Sequence, residues 1–265
     1  MPKVTIGQYY QGDSLIHRLD PRVKLLGTLT FIIILFFADN FYAYGLAAVF
    51  LFAMIFLSTV PLKMIIRGLR GIMMLLCITV LFNLFLTPGE VVWSFWIFDI
   101  TKEGISFATM MAIRLFFLVM ASSVMTLTTT PNQLTEALEH VMGPLKIFRV
   151  PVHEIAMMMS IALRFIPILS EETDKIMKAQ MARGASFDEG NVIQRAKALI
   201  PLLVPLFVSA FRRAGDLALA MEARCYHGGN GRTKMYPLQY TKRDICAFLV
   251  LTFYLAGMIV LVRVF

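Results

Sequence analysis

Met181-Ala182-Arg183-Gly184 and Glu222-Ala223-Arg224-Cys225 decide how this chain is to be read. Each closes a long run of helix-forming residues with an arginine set between two small residues. An arginine near a helix C-terminus complements the macrodipole, and a small residue just beyond is the commonest stop. Either end alone is therefore explained as a cap. The two arginines stand 41 residues apart, however, and Asp174 to Gly184 and Asp216 to Cys225 each run from an acidic residue through Met and Ala to Ala-Arg-small. Such a pair also suits a two-headed docking device, in which Ala182, Arg183, Gly184 and Ala223, Arg224, Cys225 push one guanidinium each into a partner with little steric bulk around it.

Working outward, apolar Ile155, Met158, Met159, Ala162, Phe165, Ile166, Leu169, Ile176 and Met177 recur at helical spacing and predict a helix over about 152–183, with Pro167 as a kink. A second helix is predicted over about 192–226, marked by Pro201 and Pro205, and a short one over 131–142, capped by Thr130 or Asn132 and stopped by Gly143-Pro144. The two long helices would each extend about 45–50 Å at 1.5 Å per residue. Their first halves are apolar and their second halves charged, which predicts helices that begin at or in the membrane surface and reach into the cytosol. The alternative is that residues 154–169 and 198–211 span the membrane.

Composition sets the surroundings. With 58% hydrophobic and 16% charged residues, lipid is the main solvent. Backbone amides must be satisfied within each crossing segment, so spans are helices of about 20 residues. Five stretches qualify: 23–38, 42–60, 71–86, 105–127 and 245–262. The expected fold is all-α, a polytopic membrane protein with about five transmembrane helices and a cytoplasmic domain of long helices. Its domains would be an N-terminal cytoplasmic segment with four spans (1–129), cytoplasmic helices (130–244) and a last span (245–265).

The net charge of +8 reads as topology and not as a nucleic-acid surface. Arg18, Arg22 and Lys24 precede the first span, Lys63, Arg67 and Arg70 lie between the second and third, and further Lys and Arg fill 130–244. The opposite loops carry Asp39, Glu90, Asp99 and Glu103 against Lys102, with Trp93 and Trp96 as interface anchors. The N-terminus is thus expected in the cytoplasm and the C-terminus outside. Cys77, Cys225 and Cys246 form no CxxC pair, and His17, His140, His153 and His227 show no ligand spacing, so neither a disulfide framework nor a metal site is expected.

Phosphate loop, nucleophile elbow and zinc-protease motifs are all missing, so no catalytic apparatus, resident cofactor or ATP hydrolysis by this chain is expected. Arg114 is the one basic residue deep in a span. A charge there is costly unless paired or hydrated. It either lines a translocation path, as in a self-contained permease or channel, or faces the bundle and bonds carbonyls or a side chain such as Asn83.

Asp13-Ser14-Leu15-Ile16-His17-Arg18-Leu19-Asp20-Pro21-Arg22-Val23-Lys24 closely resembles the opening of the transmembrane T components (EcfT/CbiQ-like) of energy-coupling-factor transporters, with Asp20, Pro21, Arg22 and Lys24 as its motif positions. The Ala-Arg-Gly and Ala-Arg-Cys ends look like that family's two coupling motifs. The resemblance implies a non-catalytic subunit of an ABC-type importer in the bacterial cell membrane. It would bridge two ABC ATPases, on which ATP and Mg²⁺ act, and a membrane-embedded substrate-binding S component for a vitamin or other micronutrient. Arg183 and Arg224 would enter grooves on the two ATPases. Cys225 stands where glycine is common, which restricts the backbone of that tip while leaving it small. Met157, Met158, Met159 and Ala162 form a pliable surface that is either ordinary packing or the face toward the S component. The module is either shared among several S components or dedicated to one solute.

Overall fold

The computed structural model describes residues 9–95, 98–185, 187, 191–229, 235 and 237–264. Trp96, expected as an interface anchor, lies outside them. The chain forms two compact units. One holds the described residues up to Val141 together with those after 236, and the other is Met142–Met235.

In the first unit, α1 (Pro21–Phe36) starts where Asp20 accepts the amide of Arg22 and Pro21 occupies the first turn. Proline lacks only an amide that would be unpaired there anyway. Helix α2 (Phe41–Ser58) follows after a four-residue corner. The single third span expected over 71–86 is instead two helices, α3 (Leu62–Arg70) and α4 (Met73–Leu86), bent by 63° at a short break. Arg67 and Arg70 close α3, and α4 carries no charged residue, so the bend separates a basic turn from an apolar arm. An antiparallel hairpin, β1 (Val91–Phe95) and β2 (Phe98–Thr101), is the one departure from helix among the described residues, with Phe95 opposite Phe98. Thr101 caps the 27-residue α5 (Lys102–Thr128) by accepting the Gly104 amide, and its own hydroxyl donates to the Thr87 carbonyl at 2.8 Å.

Helix α6 (Pro131–Val141) opens on a capping box in which Thr130 and Gln133 exchange side-chain and amide bonds. It packs on α1, with Ala137 fully buried. The expected 130–244 domain is therefore divided: its first helix belongs to the membrane unit, because its apolar stripe is covered there. Helix α9 (Lys242–Val264) completes this unit. Its Tyr254 ring stacks on Phe50 at 4.4 Å and on Phe31 at 5.7 Å, inside a core shared with Leu35, Leu51 and Met120.

The second unit contains a 3-10 turn at Gly143–Phe148, then α7 (Val152–Ala182) and α8 (Val192–Glu222). Five helices are long and apolar enough to cross a membrane: α2, α5, α7, α8 and α9, with the bent α3–α4 pair as a sixth. The number five was expected, but its membership differs. Helix α1 has 16 residues, about 24 Å at 1.5 Å per residue and short of the hydrocarbon thickness, whereas the apolar first halves of α7 and α8 qualify those helices by composition.

The two ends of the membrane unit are joined by buried polar groups. The Asp244 carboxylate accepts the amide of Asp20 at 2.8 Å and both the amide and hydroxyl of Thr241 at 2.7 Å. Arg22 bonds both carboxylate oxygens of Asp20, and its guanidinium lies 4.2 Å from the Tyr240 ring centre. The Lys24 amine donates to the carbonyls of His17 and Thr128 at 3.1 and 2.9 Å. His17 Nε2 sits 3.0 Å from the Tyr10 carbonyl, which only accepts, so that nitrogen carries the proton and Nδ1 accepts from Ser14. Burial lowers the His17 pKa and favours this neutral ring.

Replacing Asp244 by Ala removes three bonds to a buried carboxylate and strands the Asp20 amide, so unfolding in detergent should become easier by about 3 kcal/mol. Asp13→Ala, which breaks only the exposed pair with Arg18, should leave the melting temperature unchanged. Thermal unfolding of both variants checks this contrast.

Candidate docking site at two helix ends

Helices α7 and α8 pair antiparallel. Glu172 accepts from Ser209 at 2.6 Å and from Arg213 at 3.1 Å, while the Gln180 amide approaches the Pro201 carbonyl. Toward the other end, Ile161 and Phe165 of α7 and Leu217 and Met221 of α8 line a shared groove of about 240 Å³. Asn191 and Gln194 form a capping box that restarts the chain as α8. The apolar first half of α7 thus lies along the charged second half of α8. The expectation that both helices begin at the membrane surface and reach into the cytosol is corrected: paired antiparallel, they point in opposite directions and cannot both begin at one level.

Their C-termini are built alike. At the first, the Gly184 amide bonds the Met181 carbonyl and the Ala185 amide bonds the Gln180 carbonyl, both at 3.0 Å. At the second, the Cys225 amide bonds the Glu222 carbonyl at 2.8 Å and the Tyr226 amide bonds the Met221 carbonyl at 3.1 Å. Both are Schellman closures, and each requires the residue after the arginine to take a positive φ. Gly184 does so at φ 90°, and Cys225 at φ 54°, a conformation that costs a side-chain-bearing residue about 1 kcal/mol. The second tip therefore reproduces the first despite lacking glycine.

Arg183 and Arg224 occupy equivalent positions immediately before the reversal. Both are exposed, and neither guanidinium makes a hydrogen bond or ion pair among the described residues, while both backbone amides stay bonded to their own helices. The neighbouring Ala182, Gly184, Ala223 and Cys225 are small, and Ala182, Ala223 and Cys225 are exposed with them. Because the helices are antiparallel, the tips lie at opposite ends of the pair. From the Pro201 level to Arg224 the rise is roughly 35 Å, at 1.5 Å per residue. The arrangement offers two separate cationic knobs held at a fixed spacing.

The methionine cluster is split by helical geometry. Met158, 57% exposed, and Ala162 share the open face with Ile166, whereas Met157 and Met159 are half-buried. A broader apolar surface lies on α8, where Leu203, Val204, Phe207, Val208 and Phe211 are all exposed. The sequence signal for it is the apolar run 198–211, whose alternative reading is a membrane span. Asp20, Pro21, Arg22 and Lys24 belong to the other unit and build the buried polar junction described above.

Arg114 donates to the Tyr44 hydroxyl at 3.0 Å and to the Ala38 carbonyl at 2.8 Å, with Asp39 3.6 Å away. It faces the bundle and pins the α1–α2 corner. Asn83, its suggested partner, instead donates to the Thr79 carbonyl of its own helix.

The family model of the cobalt transport protein (CbiQ) matches residues 12–235. The energy-coupling factor transporter transmembrane protein EcfT of Thermosediminibacter oceani is 53% identical over 249 residues, 94% of each chain. That of Ruminiclostridium cellulolyticum is 48% identical over 262 residues, covering 99% of this chain and 98% of the relative. That of Bacillus subtilis is 46% identical over 245 residues, 92% of each chain.

The two closures make opposite demands on mutation. Gly184→Ala should expose the first end, speeding exchange of the Ala185 amide about fivefold through roughly 1 kcal/mol of backbone strain. Cys225→Gly should slow exchange of the Tyr226 amide or leave it unchanged. Hydrogen exchange read by mass spectrometry distinguishes these outcomes, and acceleration in Cys225→Gly would contradict the shared closure.

Proposed function

The chain belongs to the CbiQ family and is the transmembrane component of an energy-coupling factor transporter, a multi-pass subunit of the cell membrane; from this premise we propose that it couples two ABC ATPases to a substrate-binding S component. Arg183 and Arg224 each enter one ATPase. The observation that carries this reading is the pair of like-built helix ends, exposed and unpaired among the described residues, at opposite ends of one antiparallel pair.

Two partners of one kind are best engaged by two copies of one knob. A guanidinium received by carboxylates or carbonyls makes several charge-assisted bonds, and truncating such a buried pair costs about 2–5 kcal/mol. If ATP-driven closure changes the spacing of the two receptor grooves, the stiff helices transmit that change to whatever rests on their apolar faces. The exposed stretch of α8 from Leu203 to Phe211, with Met158 and Ala162 of α7, supplies a surface for the S component. In this reading α7 and α8 are cytoplasmic despite their apolar halves, because each carries charged residues through its second half. The N-terminus is then cytoplasmic and the C-terminus outside, following the excess of Lys and Arg. The solute is a vitamin or similar micronutrient chosen by the S component, and no bond chemistry is done by this chain.

Arg183→Ala and Arg224→Ala should each lower solute uptake by about tenfold or more, the equivalent of losing one desolvated charge contact. The double variant should abolish uptake and either release the ATPases or leave them hydrolysing ATP without transport. Both side chains are exposed, so the melting temperature of the chain should not move. Uptake, ATPase rate and copurifying ATPase are measured together, and normal uptake by the double variant would reduce the motif pair to helix caps.

A further inference from the structure

Next to the Asp20–Asp244 junction, the membrane unit contains a cavity of about 340 Å³ between α1, α2, α5 and α9. It exists because small residues face one another where larger ones would close the bundle: Gly27 on α1, Ala121 on α5, Cys246 and Ala247 on α9. A methyl group built on Gly27 would meet nothing within 4 Å. In membrane helices such residues normally bring backbones into contact. Here they leave space.

The walls are almost wholly apolar, so water finds few partners inside and an apolar filler is favoured. The polar lining is Lys24, Thr28, Thr128 and Arg243. Three of these are committed within the protein: Lys24 to two carbonyls, Thr28 to the Lys24 carbonyl at 2.8 Å and Thr128 to the Val124 carbonyl at 2.8 Å. Arg243 is different. Its guanidinium is exposed and makes no hydrogen bond or salt bridge among the described residues; the carboxylate that feels its charge, Asp13, is already paired with Arg18, and Lys242 stands beside it.

We propose that this cavity is a lipid site, holding one acyl chain of an anionic phospholipid whose phosphate is received by Arg243. The unit is surrounded by bilayer, where acyl chains are the abundant apolar species able to fill such a space. Basic residues beside a gap between membrane helices are complementary to a phosphate headgroup. The proposal rests on the membrane placement of this unit and is independent of the docking role of Arg183 and Arg224.

The test is native mass spectrometry of the full chain released from nanodiscs containing equal phosphatidylglycerol and phosphatidylcholine. The unsubstituted chain should retain one phospholipid after the remaining lipids are stripped, with phosphatidylglycerol favoured about fivefold, the factor expected from one basic residue at an anionic surface. Gly27→Phe, which fills the cavity, should lose the retained lipid. Arg243→Gln should keep a lipid but lose the headgroup preference. If Gly27→Phe does not fold, Ala247→Leu fills the space from the opposite wall, and spin-labelled phosphatidylglycerol should show an immobilised component with the unsubstituted chain that this variant lacks. No retained lipid, equal retention by a folded cavity-filling variant, or equal preference for phosphatidylcholine in the unsubstituted chain would overturn the proposal.

Discussion

The bond from the Asp20 amide to the Asp244 carboxylate fixes the membrane unit, because it ties the first turn of α1 to the first turn of α9 across 224 residues of sequence. A buried carboxylate is tolerated only where its lone pairs are met, and here two amides and a hydroxyl meet them. Arg22 and Lys24 extend the junction to Tyr240 and to the end of α5 at Thr128. The intervening helices must then close into one bundle, with the Phe31, Phe50 and Tyr254 rings stacked at its centre. The N-terminal signature that resembles a transporter family is thereby explained as structure. Its buried charged residues Asp20, Arg22 and Lys24 hold the bundle, and the arginines proposed for docking lie in the other unit.

That other unit depends on a different constraint, the unpaired carbonyls at every helix C-terminus. Both long helices solve it in the same way, with a reversal immediately after an arginine. The reversal removes bulk from around the guanidinium, and the antiparallel pairing sets the two reversals far apart. Neither feature needs a partner to form. A preformed spacing lowers the ordering cost of association, which suits a subunit that must hold two moving partners at once.

Local chemistry was legible in the sequence. Thr130, one of two candidate caps, opens α6, and Arg183-Gly184 marks the end of α7 to within a residue, because caps and stops act over neighbouring positions, whereas α1 starts two residues before the expected 23 on the Asp20 cap. What depends on distant pairing was not. Nothing near Asp244 announces that it will meet Asp20, and the choice of Tyr44 over Asn83 by Arg114 is decided by the α1–α2 corner, not by any spacing. The α3–α4 bend was hidden because the apolar stretch was read as one span and its basic prelude as a loop. The hairpin at Val91–Thr101 was concealed by aromatic residues that also suit an interface. Hydropathy gradients along α7 and α8 were read correctly as gradients, but direction is a property of the pair, and the sequence of each helix alone carries no such information.

The docking of both tips is tested most directly by placing a photoreactive amino acid at position 183 or 224 in the assembled membrane complex and identifying the covalent products by mass spectrometry. Each position should give an adduct with an ABC ATPase, at two distinct places in the ATPase pair, while Phe56 on the apolar helix α2, 86% exposed, gives none. Adducts from 183 and 224 to lipid or to the S component alone, with no ATPase peptide, would contradict it.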